Sequence, residues 1–235
     1  MYGRVPKVAN SSIKASLCNL LKNPADEGVR TTADSFWRDA THGETELITP
    51  LQARRHRGTH FSFSFVRNPF DRLVSAYNNK LVENSEPTRS MLEMGLRSQM
   101  NFSDFIDCVC SCPDDRLDVH LLPQSSILCA GETLVPKFIG RLEQIDAHWA
   151  ALQRRMRREG IPTLGKLPEK NRRRDKTDDL SAYFSNDELI RKAADRYSRD
   201  IQIFYTDINI DDLARNSFTS EAPPIQRGRG KTTKT

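Results

Sequence analysis

The chain has 235 residues, enough for one sizeable α/β domain or at most two small ones with a real core. Hydrophobic residues make up 37%, and 36 Lys and Arg against 31 Asp and Glu leave a formal net charge of +5, a mild excess that suits an anionic ligand. The mean hydropathy is -0.62, and the absence of any long apolar run excludes a membrane span in the sequence as it stands.

The first residues, MYGRVPKVANSSIKASLCNLL, predict a short extended piece, a Pro-Lys turn, a polar loop and an amphipathic helix. Asn10, Ser11 and Ser12 are natural cap residues there, and Ile13, Leu17, Leu20 and Leu21 recur at helical spacing. Residues 23–58 are polar and irregular. HFSFSFV then alternates aromatic and small polar residues, which predicts a strand ending at Arg67. Asn68-Pro69 breaks it, and a helix resumes from Phe70 with Pro69 in its first turn. NFSDFIDCVC predicts a helix capped at Asn101 or Ser103. VPKFIGRLE reads as a short strand and its exit, followed by a helix from Gln144 to Gly160. The segment IPTLGKLPEKNRRRDKT is loop-like and basic. Helices resume to Asp207, one of them capped by Ser185.

From about Asp211 the periodicity fails, so the sequence divides into a domain over 1–210 and a basic, disordered tail over 211–235. Strands alternating with helices predict an α/β fold with a mainly parallel sheet. Five cysteines are an odd number, and the alternating Cys108, Cys110 and Cys112 match no common zinc spacing, which favours free thiols or a local disulfide over a metal site.

Two strand-to-helix corners carry the chemistry. Such a corner leaves backbone N–H groups unpaired beside the positive end of the helix dipole. In VPKVANSSIK, Lys7 precedes a small, polar loop and two hydroxyls, an arrangement that can cradle a phosphate or sulfate; the glycines and trailing lysine of a Walker A loop are missing. In VRNPFDRLVSAY, Arg67 leaves the strand and Ser75 lies two turns on, offering a fork and a hydroxyl to a second phosphate. Each corner also fits a plainer reading: a capped helix with a solvated lysine, and an Arg67–Asp71 ion pair beside a small buried serine.

PKVANSSIK and VRNPFDRLVSAYNNK resemble the 5′-phosphosulfate and 3′-phosphate motifs of the Golgi-type carbohydrate sulfotransferases, closest to the branch with the HNK-1 and chondroitin/dermatan 4-O-sulfotransferases and their bacterial relatives. DVHLLPQSSILC is similar to the family's His-Trp-x-Pro-Gln stretch, with Leu121 in place of the tryptophan. FIGRLEQIDAHW and RYSRDIQIFYTD resemble two further segments, and the likeness covers roughly residues 4–208.

The resemblance implies a P-loop-NTPase-like, three-layer fold and 3′-phosphoadenosine 5′-phosphosulfate (PAPS) as sulfuryl donor. It implies that Arg67 and Ser75 hold the 3′-phosphate, that Ser11 and Ser12 hold the phosphosulfate, and that Lys7 neutralises the leaving oxygen. The resemblance and the chemistry of proton abstraction both point to His120 as the base for a carbohydrate hydroxyl, with Glu44, His42 and His60 as rivals. Lys14 is a weaker cofactor contact. Arg173, in the run Asn171–Arg174, sits where related enzymes close a loop over the nucleotide, and Arg141 pairs with Glu143.

The reaction requires no metal, and no nucleic-acid partner is expected. The strand before Pro6-Lys7 is unusually short, which leaves room for an impaired relative and, if the start is truncated, for a hidden Golgi membrane anchor; taken literally the chain is cytoplasmic. A P-loop-type kinase and a basic module binding polyanions are the other readings.

Overall fold

The computed structural model describes residues 1–23, 25–83, 86–168, 179–220 and 222–226. A four-stranded sheet is ordered β1 (Tyr2–Gly3), β2 (Phe63–Val66), β5 (Phe138–Arg141) and β6 (Ile225–Gln226); a separate two-stranded ribbon joins β3 (Cys129–Ala130) to β4 (Thr133–Leu134). The first three sheet strands run parallel, with Tyr2 opposite Phe63 and Val66 opposite Arg141, and β6 is antiparallel to β5. The α/β architecture with a mainly parallel sheet is thus realised.

Helices alternate with the strands: α1 (Asn10–Leu17), α2 (Asp34–Asp39) and α3 (Pro50–Arg55) before β2, then α4 (Pro69–Tyr77), α5 (Arg89–Glu93), α6 (Phe102–Ser111) and α7 (Gln124–Leu128). After β5 come α8 (Ile145–Arg158), α9 (Leu180–Tyr183), α10 (Asp187–Arg196), α11 (Ser198–Phe204) and α12 (Ile210–Arg215).

β2 and β5 are buried along their whole length, as expected of parallel strands covered on both faces. Gly140 is required on β5: a Cβ there would run into the Phe65 ring and meet the His148 Cβ at 3.0 Å. Phe65 is held in turn by Phe138 and by Trp149 of α8. A second aromatic group, Tyr77, Phe102, Phe105, Tyr183 and Phe184, joins α4, α6 and α9.

Pro69 opens α4 and Asn101 caps α6, both as the sequence predicts. Other expectations are corrected. No side chain caps α1, whose N-cap is Ala9 in the left-handed region. Asn186, not Ser185, caps α10 by accepting from the Leu189 N–H. The irregular stretch 23–58 contains α2 and α3, the latter with a Thr49–Gln52 capping box.

The tail read as disordered from 211 contains most of α12, with Leu213 and Ala214 buried, and then β6. Two buried apolar residues in a six-residue helix, with Ile210 exposed, are too few to register as a period. Residues 227–235 and the run containing Arg173 lie outside the described residues.

Gly140→Ala should destabilise the domain by about 1–3 kcal/mol, because the Phe65 ring has no empty space to move into. Urea unfolding followed by tryptophan fluorescence measures this; an unchanged midpoint would show that the sheet and α8 can separate locally.

Candidate active site

The carboxyl ends of β1, β2 and β5 open on one edge of the sheet, where ligands of parallel α/β proteins sit. β1 is only two residues long, yet its exit is firmly held. Val5 and Val8 are fully buried on either side of Lys7, the Met1 ammonium donates to Phe61 O at 2.7 Å, and the Ser64 hydroxyl donates to Gly3 O at 2.7 Å. Lys7 (φ 67) and Ala9 (φ 45) both adopt left-handed backbone, which costs a non-glycine residue about 1–2 kcal/mol. The strain bends the chain so that α1 begins uncapped, with Ser11 half-buried and Ser12 buried in its first turn. Strain of this kind collects at ligand sites.

At the second corner Arg67 uses its fork on Asp71, with Nε to Oδ2 at 2.7 Å and Nη2 to Oδ1 at 2.8 Å. Its Nη1 donates to Lys7 O at 3.1 Å. The plainer Arg67–Asp71 pairing is therefore present, and the two corners adjoin on the same edge, whereas two separate phosphate sites on one nucleotide imply widely spaced corners. Ser75 is half-buried one turn beyond Asp71.

Gln124 fixes the Arg67 backbone from the side. Its amide accepts from the Arg67 N–H at 2.9 Å and donates to Arg67 O at 2.8 Å, as a neighbouring strand would. Asp200, fully buried, accepts from the Gln124 and Ser125 N–H groups at 2.7 Å each, capping α7.

Arg72, only 2% exposed, donates to Pro6 O at 3.2 Å, Leu122 O at 2.8 Å and Val119 O at 3.3 Å. One guanidinium thus ties the first corner to the segment that carries His120. Burial pulls its pKa down, against the opposing charges of Asp200 and Asp118.

His120 is one-quarter exposed, and its Nδ1 lies 2.7 Å from Asp118 Oδ1, which also accepts the His120 N–H at 2.8 Å. Asp118 is buried, and its other oxygen accepts from the Thr88 hydroxyl at 2.5 Å. Burial raises the Asp118 pKa, but hydrogen bonds from His120 and Thr88 outweigh it and hold the carboxyl at about 2. A carboxylate on Nδ1 fixes the tautomer that leaves Nε2 to accept a proton.

The rivals have other work or no such setting. Glu44 accepts from the Lys22 and Asn23 N–H groups at 2.7 and 2.9 Å, His42 is exposed, and His60 is exposed beside the Thr59 hydroxyl. Lys14 is no solvated lysine: it is buried, bonded to Thr32 O at 3.0 Å and paired with Asp34, as is Arg4.

The expected Arg141–Glu143 pair is also corrected. Arg141 pairs with Asp207 at 2.5 Å and Phe204 O at 2.6 Å, whereas Glu143 accepts the Asn68 N–H at 2.5 Å and faces the Tyr205 hydroxyl at 3.3 Å. Burial pushes the Glu143 pKa up to about 7, with Asp71 adding to the rise and Arg67 opposing it. Among the described residues no cluster of three or more His, Cys, Asp or Glu could hold a metal, the five cysteines are free, and no helix is long and apolar enough to cross a membrane.

Sequence reasoning missed Asp118, Gln124 and Arg72. The first two stand inside the DVHLLPQ stretch, two residues before and four after His120, so its polar positions were the available signal.

The model of the sulfotransferase family matches residues 1–206. This chain belongs to the sulfotransferase family. Carbohydrate sulfotransferase 14 of Danio rerio is 26% identical to it over 189 residues, covering 72% of this chain and 48% of that protein. The chain thus spans about half the length of this curated relative, and no solved structure matches it. Sulfuryl transfer is the chemistry of the family.

Two predictions follow from the geometry. Arg72→Met should cost about 3 kcal/mol or more in urea unfolding, since three carbonyls lose a buried, charged donor; a loss below about 1 kcal/mol would show that the guanidinium holds nothing together. Glu143, with its folded pKa raised from 4.5 to about 7, adds stability below pH 4.5 that is lost as the pH climbs through 7. In Glu143→Gln that decline in melting temperature should flatten between those limits, and an unchanged profile would assign the titration elsewhere.

Proposed function

We propose that the chain is a PAPS-dependent sulfotransferase that moves a sulfuryl group to a carbohydrate hydroxyl by in-line displacement. The observation that carries this reading is the Arg72 bridge, which ties the dyad of buried Asp118 and quarter-exposed His120 to the strained Lys7 corner.

In this reading the first turn of α1, with Ser11 and Ser12, receives the 5′-phosphosulfate on its N–H groups and hydroxyls. Lys7 follows the negative charge that builds on the bridging oxygen. Arg67 and Ser75 take the 3′-phosphate, the guanidinium exchanging the Asp71 carboxylate for phosphate along the same two-donor edge. His120 Nε2 accepts the acceptor's proton while Asp118 steadies the imidazolium. The acceptor oxygen bonds to sulfur, the bond from sulfur to the bridging oxygen breaks, and 3′-phosphoadenosine 5′-phosphate leaves. Alignment and charge neutralisation do most of the work in such a transfer. The Danio rerio relative, a carbohydrate sulfotransferase by name, supports a saccharide acceptor.

Calorimetric titration with 3′-phosphoadenosine 5′-phosphate should give micromolar binding to the wild type and none to Arg67→Ala; equal binding of ATP, or none of either nucleotide, would overturn the reading. His120→Ala should keep that affinity while its turnover falls about a hundredfold or more. Asp118→Asn should lower kcat in the same direction with the nucleotide affinity intact. Loss of nucleotide binding in His120→Ala would mark the histidine as structural.

A further inference from the structure

An acceptor hydroxyl has to reach His120 along a surface that the nucleotide leaves open. A cavity of about 560 Å³ lies between α5 and the turn Asp114–Arg116, lined by Ser90, Glu93, Asp115, Arg116 and Leu117. Its volume falls within the range of about 300–1,000 Å³ common for small-molecule sites.

Its two walls meet at the dyad. Thr88 caps α5 two residues before Ser90, Asp118 directly follows Leu117, and the Thr88 hydroxyl bonds Asp118 at 2.5 Å. The other oxygen of that same carboxylate holds His120. The cavity therefore adjoins the base through a single buried side chain. Between Asp118 and His120 in the chain, Val119 is 39% exposed and offers an apolar surface to the C–H face of a sugar ring.

Resting on the sulfotransferase reading, we propose that this cavity is the acceptor subsite and that it takes an uncharged saccharide unit next to the one being sulfated. Glu93 and Asp115 can accept hydrogen bonds from vicinal hydroxyls, the Ser90 hydroxyl can do either, and Arg116 can donate to ring or glycosidic oxygens. The charges balance: Arg89, paired with Glu93 at 2.9 Å, and Arg116 offset the two carboxylates. A uronate or a sulfated unit would need a cationic surplus, which this balanced lining lacks, so an uncharged unit is favoured. The other cavity, about 360 Å³ along α8 with Arg154 and Arg157, has the cationic lining, but none of its lining residues neighbours Asp118 or His120 in the chain.

The test uses the full chain saturated with 3′-phosphoadenosine 5′-phosphate and titrated with two probes: a hyaluronan tetrasaccharide, and the same tetrasaccharide with each uronate carboxyl reduced to the alcohol. The wild type should bind the reduced form at least tenfold more tightly. Glu93→Lys with Asp115→Lys should reverse that preference, and Ser90→Trp should weaken the reduced form at least tenfold by filling the cavity. Nucleotide affinity and melting temperature should hold steady in both variants. Equal affinity for the two probes, binding of neither, or a preference untouched by all these changes overturns the subsite while the nucleotide still binds; failure of the nucleotide itself to bind overturns the sulfotransferase reading instead.

Discussion

The site depends on one buried cation. Arg72 is a helix residue whose guanidinium points into the protein and spends its donors on the carbonyls of Pro6, Val119 and Leu122. Desolvating a guanidinium is costly, and arginine does not escape the cost by giving up its proton. The carbonyls, together with the charges of Asp200 and Asp118 nearby, offset it. What the arrangement gains is position: a two-residue β1 is too short to hold the Lys7 loop by ladder hydrogen bonds alone. Arg72 holds that loop from behind and sets the histidine segment at a fixed place relative to it.

The second corner follows the same logic with amides and carboxyls. Gln124 reads both backbone groups of Arg67, and Asp200 holds Gln124 through the start of α7. Asn68 donates its N–H to Glu143 and its amide to Leu213 O at 2.6 Å, so α12 closes over the exit of β2. Each strand end is thereby fastened by a side chain from a distant element, with no long ladder required. Positions that look like ordinary polar residues in sequence are the fasteners.

That explains what could be read in advance and what could not. The β2–α4 corner was legible because its signals are local: alternating aromatics, Asn-Pro, and a helical period from Phe70. The first corner was legible as a loop with serines, but its cap was misassigned, since the left-handed Ala9 is a tertiary outcome supported by buried Val5 and Val8. Arg72 was hidden because an arginine in an amphipathic helix ordinarily faces water. Asp118 was hidden because a carboxylate two residues from a histidine acquires meaning only when the turn brings both onto one oxygen. The Arg141–Glu143 expectation failed because β5 ends between them: Arg141 turns toward Asp207 and Glu143 toward Asn68.

The Arg67–Asp71 pair bears on how such a site would take up its ligand. The Arg67 fork is neutralised by the Asp71 carboxylate, and its third nitrogen stays on Lys7 O. In the proposed reading the guanidinium changes partners along one edge while its other contact keeps the Lys7 loop in register. The displaced Asp71 would then carry an unpaired charge beside Glu143, whose pKa it already raises. A like charge at close range is relieved most cheaply by protonation, and a carboxyl poised at about 7 can supply that relief without moving the backbone it holds. In the proposed reading the same buried contacts that make the corners rigid would let a highly charged ligand enter with only a local exchange of partners and protons.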